Sequence, residues 1–267
     1  MNNFEFELPI GNYYIHVLLD DRNSYERIRG YYRFHQKMSD DCIGKITIQN
    51  TGNHHSETNL EPKTVWSDNT CEFIGYDCKG IVGSNVDASL EIGPDTTIQC
   101  LDFFFRVATS IFIFSRGGLL VHAAGIEKDN HGYLFTGYSG AGKSTVCKLS
   151  SDCKTLNDDL IVLIPEKGGW QICSTPFTNP TQVSPIQGST NLHRIFLLKQ
   201  AKYHQLVDVS ETRALAELIT HVPVISQSEK LIPPLINRCN DIVKKIPPQE
   251  LNFLPDRGFW NLIENKR

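Results

Sequence analysis

The sequence is short of several features that mark a functional class. Only 21% of its 267 residues are charged, and acidic residues outnumber basic ones, for a formal net charge of −4. It has no cluster of lysine and arginine, which removes the electrostatic case for nucleic acid. None of its eight cysteines is spaced as CxxC, which argues against a zinc ribbon. The start, MNNFEFELPI, lacks the basic n-region and apolar core of a signal peptide. No apolar run is both long and clean. The most apolar stretch, LDFFFRVATSIFIFSRGGLLVHAAG, is broken by Asp102, Arg106 and Arg116, whereas a membrane span takes about 20 apolar residues. It reads as a buried helix followed by a strand. Internal repeats and low-complexity tracts are also lacking. These absences point to a cytoplasmic chain with reduced, mostly buried cysteines and with no nucleic-acid or membrane partner.

What is present is enough apolar residue for a sizeable core, in one large domain or two small ones: 40% of the chain is hydrophobic. Residues 1–98 form a β-rich N-terminal region. FEFELPI, YYIHVLL and KITIQN carry the aromatic, β-branched and alternating patterns of short strands. The polar segment NTGNHHSETNLEPKTVWSDNTCE reads as a loop or hairpin excursion, with His54 and His55 solvated rather than metal-bound. From residue 99 the pattern changes. Leu101, Phe104, Phe105, Ala108, Ile111 and Phe112 recur at helical spacing, and Gly117 and Gly118 stop the helix. LLVHAAGIEK and GYLFTG form a hairpin, and a helix follows from about Lys143 to Ser151. TLNDDLIVLIPE and WQICS form a second hairpin and IFLLKQ a further strand. Ser210 caps a helix over ETRALAELITH. The proline-rich tail IPPQELNFLPDRGFW is expected to be non-helical and to pack Phe259 and Trp260 on the core. The fold class is α/β, with residues 99–267 as a second domain.

Gly137-Tyr138-Ser139-Gly140-Ala141-Gly142-Lys143-Ser144 fits GxxxxGK[ST] at every position, after an apolar strand and before a helix. Glycines let such a P-loop curl round an anion with its N–H groups inward. Gly137, Ser139, Gly140, Ala141, Gly142, Lys143, Ser144 and Thr145 are therefore expected to hold a nucleotide. Lys143 reaches the β- and γ-phosphates and the Ser144 hydroxyl is placed for Mg²⁺.

A double aspartate comes early. A helix of about eight residues climbs roughly 12 Å from the phosphates. Five extended residues, Cys153 to Asn157, return roughly 16 Å. Asp158 and Asp159 therefore arrive beside the loop. In a strand they point to opposite faces, so they share a task only if the strand bends. One can accept a proton from an attacking hydroxyl or help hold the metal, and the other can hold Mg²⁺ or orient a neighbour. His122 lies in the strand that pairs with the one feeding the loop, near its mouth.

The order His122, TGYSGAGKST, LNDDL resembles the HPr kinase/phosphorylase group of the phosphoenolpyruvate carboxykinase-like superfamily. CSTPF and IFLLKQA resemble its HPr kinase-related branch, which includes kinases of peptide-modification clusters. The resemblance covers about Leu101 to Trp260. It implies an HPr-kinase-like P-loop core, ATP and Mg²⁺ as cofactors, and γ-phosphoryl transfer to a hydroxyl, with serine of a peptide or small protein as substrate. Asp158 is implied as general base, Ser144 and Asp159 as metal-holding, Lys143 as phosphate-binding and His122 as a support to the acid/base step. A homo-oligomer is also implied. The chain departs from HPr kinases in carrying Thr145 where they have Glu, and in lacking their downstream glycine signature and basic loop. A kinase of small-molecule hydroxyls and a nucleotide-dependent switch without turnover are the alternative functions.

Overall fold

The computed structural model describes residues 4–32, 41–55, 61–67, 70–178 and 183–265. The chain divides into two compact units, Met1–Arg116 and Gly117–Arg267.

In the first unit the expected alternation builds seven strands: β1 (Phe4–Ile10), β2 (Tyr13–Leu19), β3 (Asp41–Asn50), β4 (Lys63–Ser67), β5 (Thr70–Gly75), β6 (Cys78–Gly83) and β7 (Asp87–Ile92). They form one sheet in the order β1-β2-β3-β7-β6-β5-β4. The β2–β3 and β3–β7 pairs are parallel. Helix α1 (Arg22–Tyr32) falls where the pattern suggests only strands and turns. Its start is a side-chain cap, with the Ser24 N–H donating to Asp21 Oδ2 at 2.7 Å.

Helix α2 (Ile98–Ser115) carries the anticipated stripe, capped by Thr97, whose side chain accepts from the Cys100 N–H. Leu101, Phe104, Phe105, Ala108, Ile111 and Phe112 are all buried. The charges that interrupt the stripe are satisfied within the unit: Asp102 accepts from Tyr32 Oη and, at 2.7 Å, from Arg106 Nε. By length and composition α2 could cross a membrane, yet 72% of its apolar window is buried in the fold. The division between units falls after Arg116 rather than at residue 98, because α2 packs on the first sheet. Phe104 meets Phe73 of β5 edge-to-face at 5.3 Å, and a Cβ on Gly44 of β3 would overlap Phe112.

The exposed His54 lies 3.6 Å from Asp77 Oδ2 and 3.7 Å from Asp95 Oδ2. Asp77 is already used by the backbone, accepting the N–H groups of His55 and Asp95 at 2.7 Å each. Its carboxylate ties the two loops together.

The second unit contains β8 (Leu119–Lys128), β9 (His131–Thr136), α3 (Lys143–Leu149), β10 (Lys154–Asn157), β11 (Leu160–Glu166), β12 (Gly169–Cys173), β13 (Ser189–Gln200), β14 (Gln205–Asp208), α4 (Glu211–Thr220), α5 (Ile232–Lys245), β15 (Gln249–Phe253) and α6 (Gly258–Glu264). Seven strands run in the order β10-β8-β11-β12-β13-β15-β14, and β9 pairs with β8 and β13. The β8–β9 hairpin turns on Asp129 and Asn130, both at positive φ (50° and 62°), as its type I′ geometry requires. β13 runs parallel to both β9 and β15. A core of Phe135, Phe196, Phe253, Phe259, Trp260, Val146 and Cys147 packs α3 and α6 on this sheet.

Two expectations need correction. The tail is not irregular: Gln249–Phe253 is a strand and Gly258–Glu264 a helix, which is how Phe259 and Trp260 reach the core. The segment TLNDDLIVLIPE is not one strand but two, β10 and β11, broken at the aspartates.

Candidate functional site

β9 ends at Thr136, the glycine loop follows, and α3 begins at Lys143. Gly140 and Gly142 hold φ values of 81° and 112°, left-handed conformations that side chains resist. At Gly142 space is short as well, since a Cβ there would stand 2.5 Å from Phe253 Cζ. Gly142→Ala is therefore expected to cost about 1–3 kcal/mol of stability, read as a lower urea midpoint at unchanged m-value. The loop is braced from β13, where Gln200 Nε2 donates to the Gly140 carbonyl at 2.6 Å. Lys143 Nζ donates to the Gly137 carbonyl at 2.7 Å and to that of Tyr138 at 3.4 Å. Burial lowers the Lys143 pKa, and the charge of Asp159 opposes that shift.

After α3 the chain returns along β10, paired antiparallel with β8 from Lys154↔Glu127 to Asn157↔Gly125. It then bends, and β11 resumes on β8 with Leu160 opposite His122. Asn157, fully buried, holds the bend. Its Oδ1 accepts the N–H groups of Asp159 (2.7 Å) and Leu160 (3.0 Å), and its Nδ2 donates to the carbonyls of Thr175 (3.1 Å) and Phe177 (2.8 Å). The Thr175 hydroxyl in turn donates to the Leu160 carbonyl at 2.7 Å. A continuous strand would aim the two carboxylates at opposite faces. The break lets both line one cavity. Asn157→Ala would strand several of these buried polar groups, and a loss of about 3 kcal/mol in urea unfolding is expected.

That cavity has a volume of about 580 Å³ and lies wholly within the second unit. His122, Gly137, Ser139, Gly140, Gly142, Lys143, Ser144, Thr145, Asp158 and Asp159 line it together, so most of the residues singled out in the sequence converge. Ala141 does not line it; its side chain packs against the core.

Asp158 is 1% exposed. Its Oδ2 accepts the Val183 N–H at 3.4 Å, and among the described residues Oδ1 is buried without a hydrogen-bond partner. Burial lifts its pKa above the ordinary value and the Asp159 charge adds to this, while hydrogen bonds from the Val183 N–H and the Ser144 side chain only partly offset them. Asp159 belongs with His122. Nδ1 of His122 stands 3.0 Å from the Asp159 carbonyl oxygen and 3.1 Å from its Oδ1. Both oxygens are acceptors, so Nδ1 carries the hydrogen.

Sequence reasoning missed four residues here. Asn157 carries a legible signal, because Asn before a bend is Asx-turn chemistry, but its partners Thr175 and Phe177 are distant in sequence. Gln200 reaches the loop only because β13 runs parallel to β9. Thr220 and His221 line the cavity from the end of α4, and the His221 carbonyl accepts the His122 N–H at 2.7 Å.

Comparison with curated proteins finds no match. Among solved structures, the Hpr(Ser) kinase/phosphatase from Coxiella burnetii is similar at 13% identity and a TM-score of 0.30, over 55% of this chain and 91% of that one. The family model described as SynChlorMet cassette protein ScmC matches residues 96–266, well over half of the sequence. The chain belongs to the ScmC family.

Proposed function

We propose that this protein is a kinase that uses ATP and Mg²⁺ to phosphorylate a hydroxyl, with serine of a peptide or small protein as the acceptor. The observation that carries the reading is the convergence of Lys143 and Ser144, at the end of a complete GxxxxGK[ST] loop, with two carboxylates and a histidine in one cavity.

The donor set fits a magnesium ion. Asp158 Oδ1 is a buried oxygen without a partner among the described residues, and Ser144 lines the same cavity. Hard oxygen donors of this kind suit Mg²⁺. When bound, the ion would neutralise charge on the transferring phosphoryl group. Lys143 binds the β- and γ-phosphates, and the loop N–H groups orient them. The acceptor oxygen attacks the γ-phosphorus in line, ADP leaves, and the hydroxyl proton passes to a carboxylate. We assign that carboxylate to Asp159, held in place by the His122 Nδ1–H, and the metal-side role to Asp158. The resemblance to HPr kinases implies the reverse order. Asp158 lines the cavity with Ser144 and keeps a buried carboxylate oxygen that no described residue bonds, which favours ours, since the P-loop serine and a nearby aspartate together hold the metal in P-loop NTPases.

The test is transfer from [γ-³²P]ATP with Mg²⁺, offered to a serine- and threonine-containing peptide library and, separately, to a panel of small alcohols. Label on a peptide hydroxyl, located by mass spectrometry, is the expected result. Label only on a small alcohol would move the acceptor to metabolites. Nucleotide binding with no loss of γ-phosphate under any condition would make the protein a switch, and absence of nucleotide binding would overturn the reading.

A further inference from the structure

Cys78 and Cys100 place their sulfurs 2.7 Å apart. Cys78 lies on β6 and Cys100 in the first turn of α2, and they are 1% and 3% exposed. Non-bonded heavy atoms settle at about 3.5–4.0 Å, and disulfide sulfurs at about 2.05 Å. The pair therefore sits well inside packing distance and a short movement from a bond.

Two further features of the first unit point the same way. Gly75, opposite Cys78 in the β5–β6 pairing, makes room for both sulfurs: a Cβ there would overlap Cys100 Sγ and stand 3.1 Å from Cys78 Sγ. Cys100 is also the third residue of the 18-residue helix α2, where the positive helix end favours a thiolate. The hydrogen bond between the two thiols pulls Cys100 below its ordinary value and pushes Cys78 above it, so Cys100 ionises first. Neither thiol lines the cavity at Lys143.

We propose that Cys78 and Cys100 are a disulfide-forming pair that, when oxidised, staples β6 to the first turn of α2. The oxidant is a low-molecular-weight disulfide, RSSR. The Cys100 thiolate attacks one sulfur of RSSR and expels RS⁻. The Cys78 thiolate then attacks the Cys100 sulfur of the mixed disulfide and expels the second RS⁻. The two thiol protons end on two RSH, so the protein loses two electrons and RSSR gains them. Burial confines the exchange to the folding chain or to transient local opening. In a reducing compartment the pair stays as thiols, consistent with the reduced cysteines expected from the sequence. The bond then reports a change in redox poise.

The experiment treats the full chain with excess oxidised glutathione, alkylates it in denaturant and maps peptides without reduction. The expected result is two fewer alkylated cysteines than in the reduced protein, a linked Cys78–Cys100 peptide, and a melting temperature raised by about 5–10 °C. In Cys100→Ser the linked peptide and the thermal shift are both expected to vanish. Alkylation of all eight cysteines after oxidation, or linkage of other cysteines instead, would overturn the proposal. Peptide mapping of the wild type decides the matter even if the variant fails to fold.

Discussion

Lys143→Ala is expected to reduce phosphoryl transfer by at least about 10³-fold and to weaken nucleotide binding at the same time. Among the described residues lining the cavity, Lys143 is the one lysine or arginine, and it shares the space with Asp158 and Asp159. Without it, two carboxylates face the triphosphate with no fixed counter-charge. The ammonium is also positioned in advance, because Nζ rests on the carbonyls of Gly137 and Tyr138 at the base of the loop. Little reorganisation is needed when phosphate arrives, so the loss should appear in binding as well as in turnover. Isothermal titration with ATP analogues and single-turnover transfer separate the two. Lys143→Arg keeps the charge but puts a planar fork where a point charge fits, and only partial recovery is expected. Normal nucleotide affinity in Lys143→Ala would rule out the phosphate-loop reading.

Asp159→Asn and Asp158→Asn should fail differently. Asp159→Asn is expected to lower transfer by about 10²–10⁴-fold while leaving nucleotide affinity and magnesium dependence near wild type, as loss of a proton acceptor would. Asp158→Asn is expected to raise the Mg²⁺ concentration needed for half-maximal transfer by about 10–100-fold, with a smaller loss at saturating metal. It should also stabilise the protein. A carboxyl whose pKa is raised in the fold favours the protonated form there, so its ionised form disfavours folding above both pKa values. That penalty fades as pH falls through the raised folded-state value and is gone below the ordinary value of 3.8. At neutral pH Asp158→Asn removes it, and the melting temperature should rise. Near pH 3 the variant and wild type should converge. If instead Asp158→Asn removes turnover without touching magnesium dependence, the order implied by the HPr kinase resemblance is the right one.

Much of the site was legible in the sequence for a simple reason: local chemistry dictated it. A complete glycine loop after an apolar strand needs only neighbouring residues to form. The length of α3 and the extended return to Asn157 bring Asp158 and Asp159 back to the loop by chain geometry alone. The stripe of α2 and the Ser210 cap of α4 are likewise short-range signals, and both elements form where those signals place them. The residues that arrange the aspartates were not legible. Asn157 depends on Thr175 and Phe177, and Gln200 on the parallel pairing of β13 with β9, contacts between segments far apart in the chain. Proline masked α5, because Pro233 and Pro234 fall in its first turn, where a missing N–H costs nothing.

The sequence by itself therefore pointed to many of the groups that line the cavity: the loop, Lys143, Ser144, the two aspartates and His122, but not Gln200, Thr220 or His221. It also brought the two aspartates back beside the loop, since the helix climb and extended return follow from rise per residue. Tertiary structure alone decided how the two carboxylates divide. Adjacent residues in an unbroken strand face opposite ways. Only the bend clamped by Asn157 and Thr175 brings both into the cavity, with Asp158 against the Val183 N–H and Asp159 against His122.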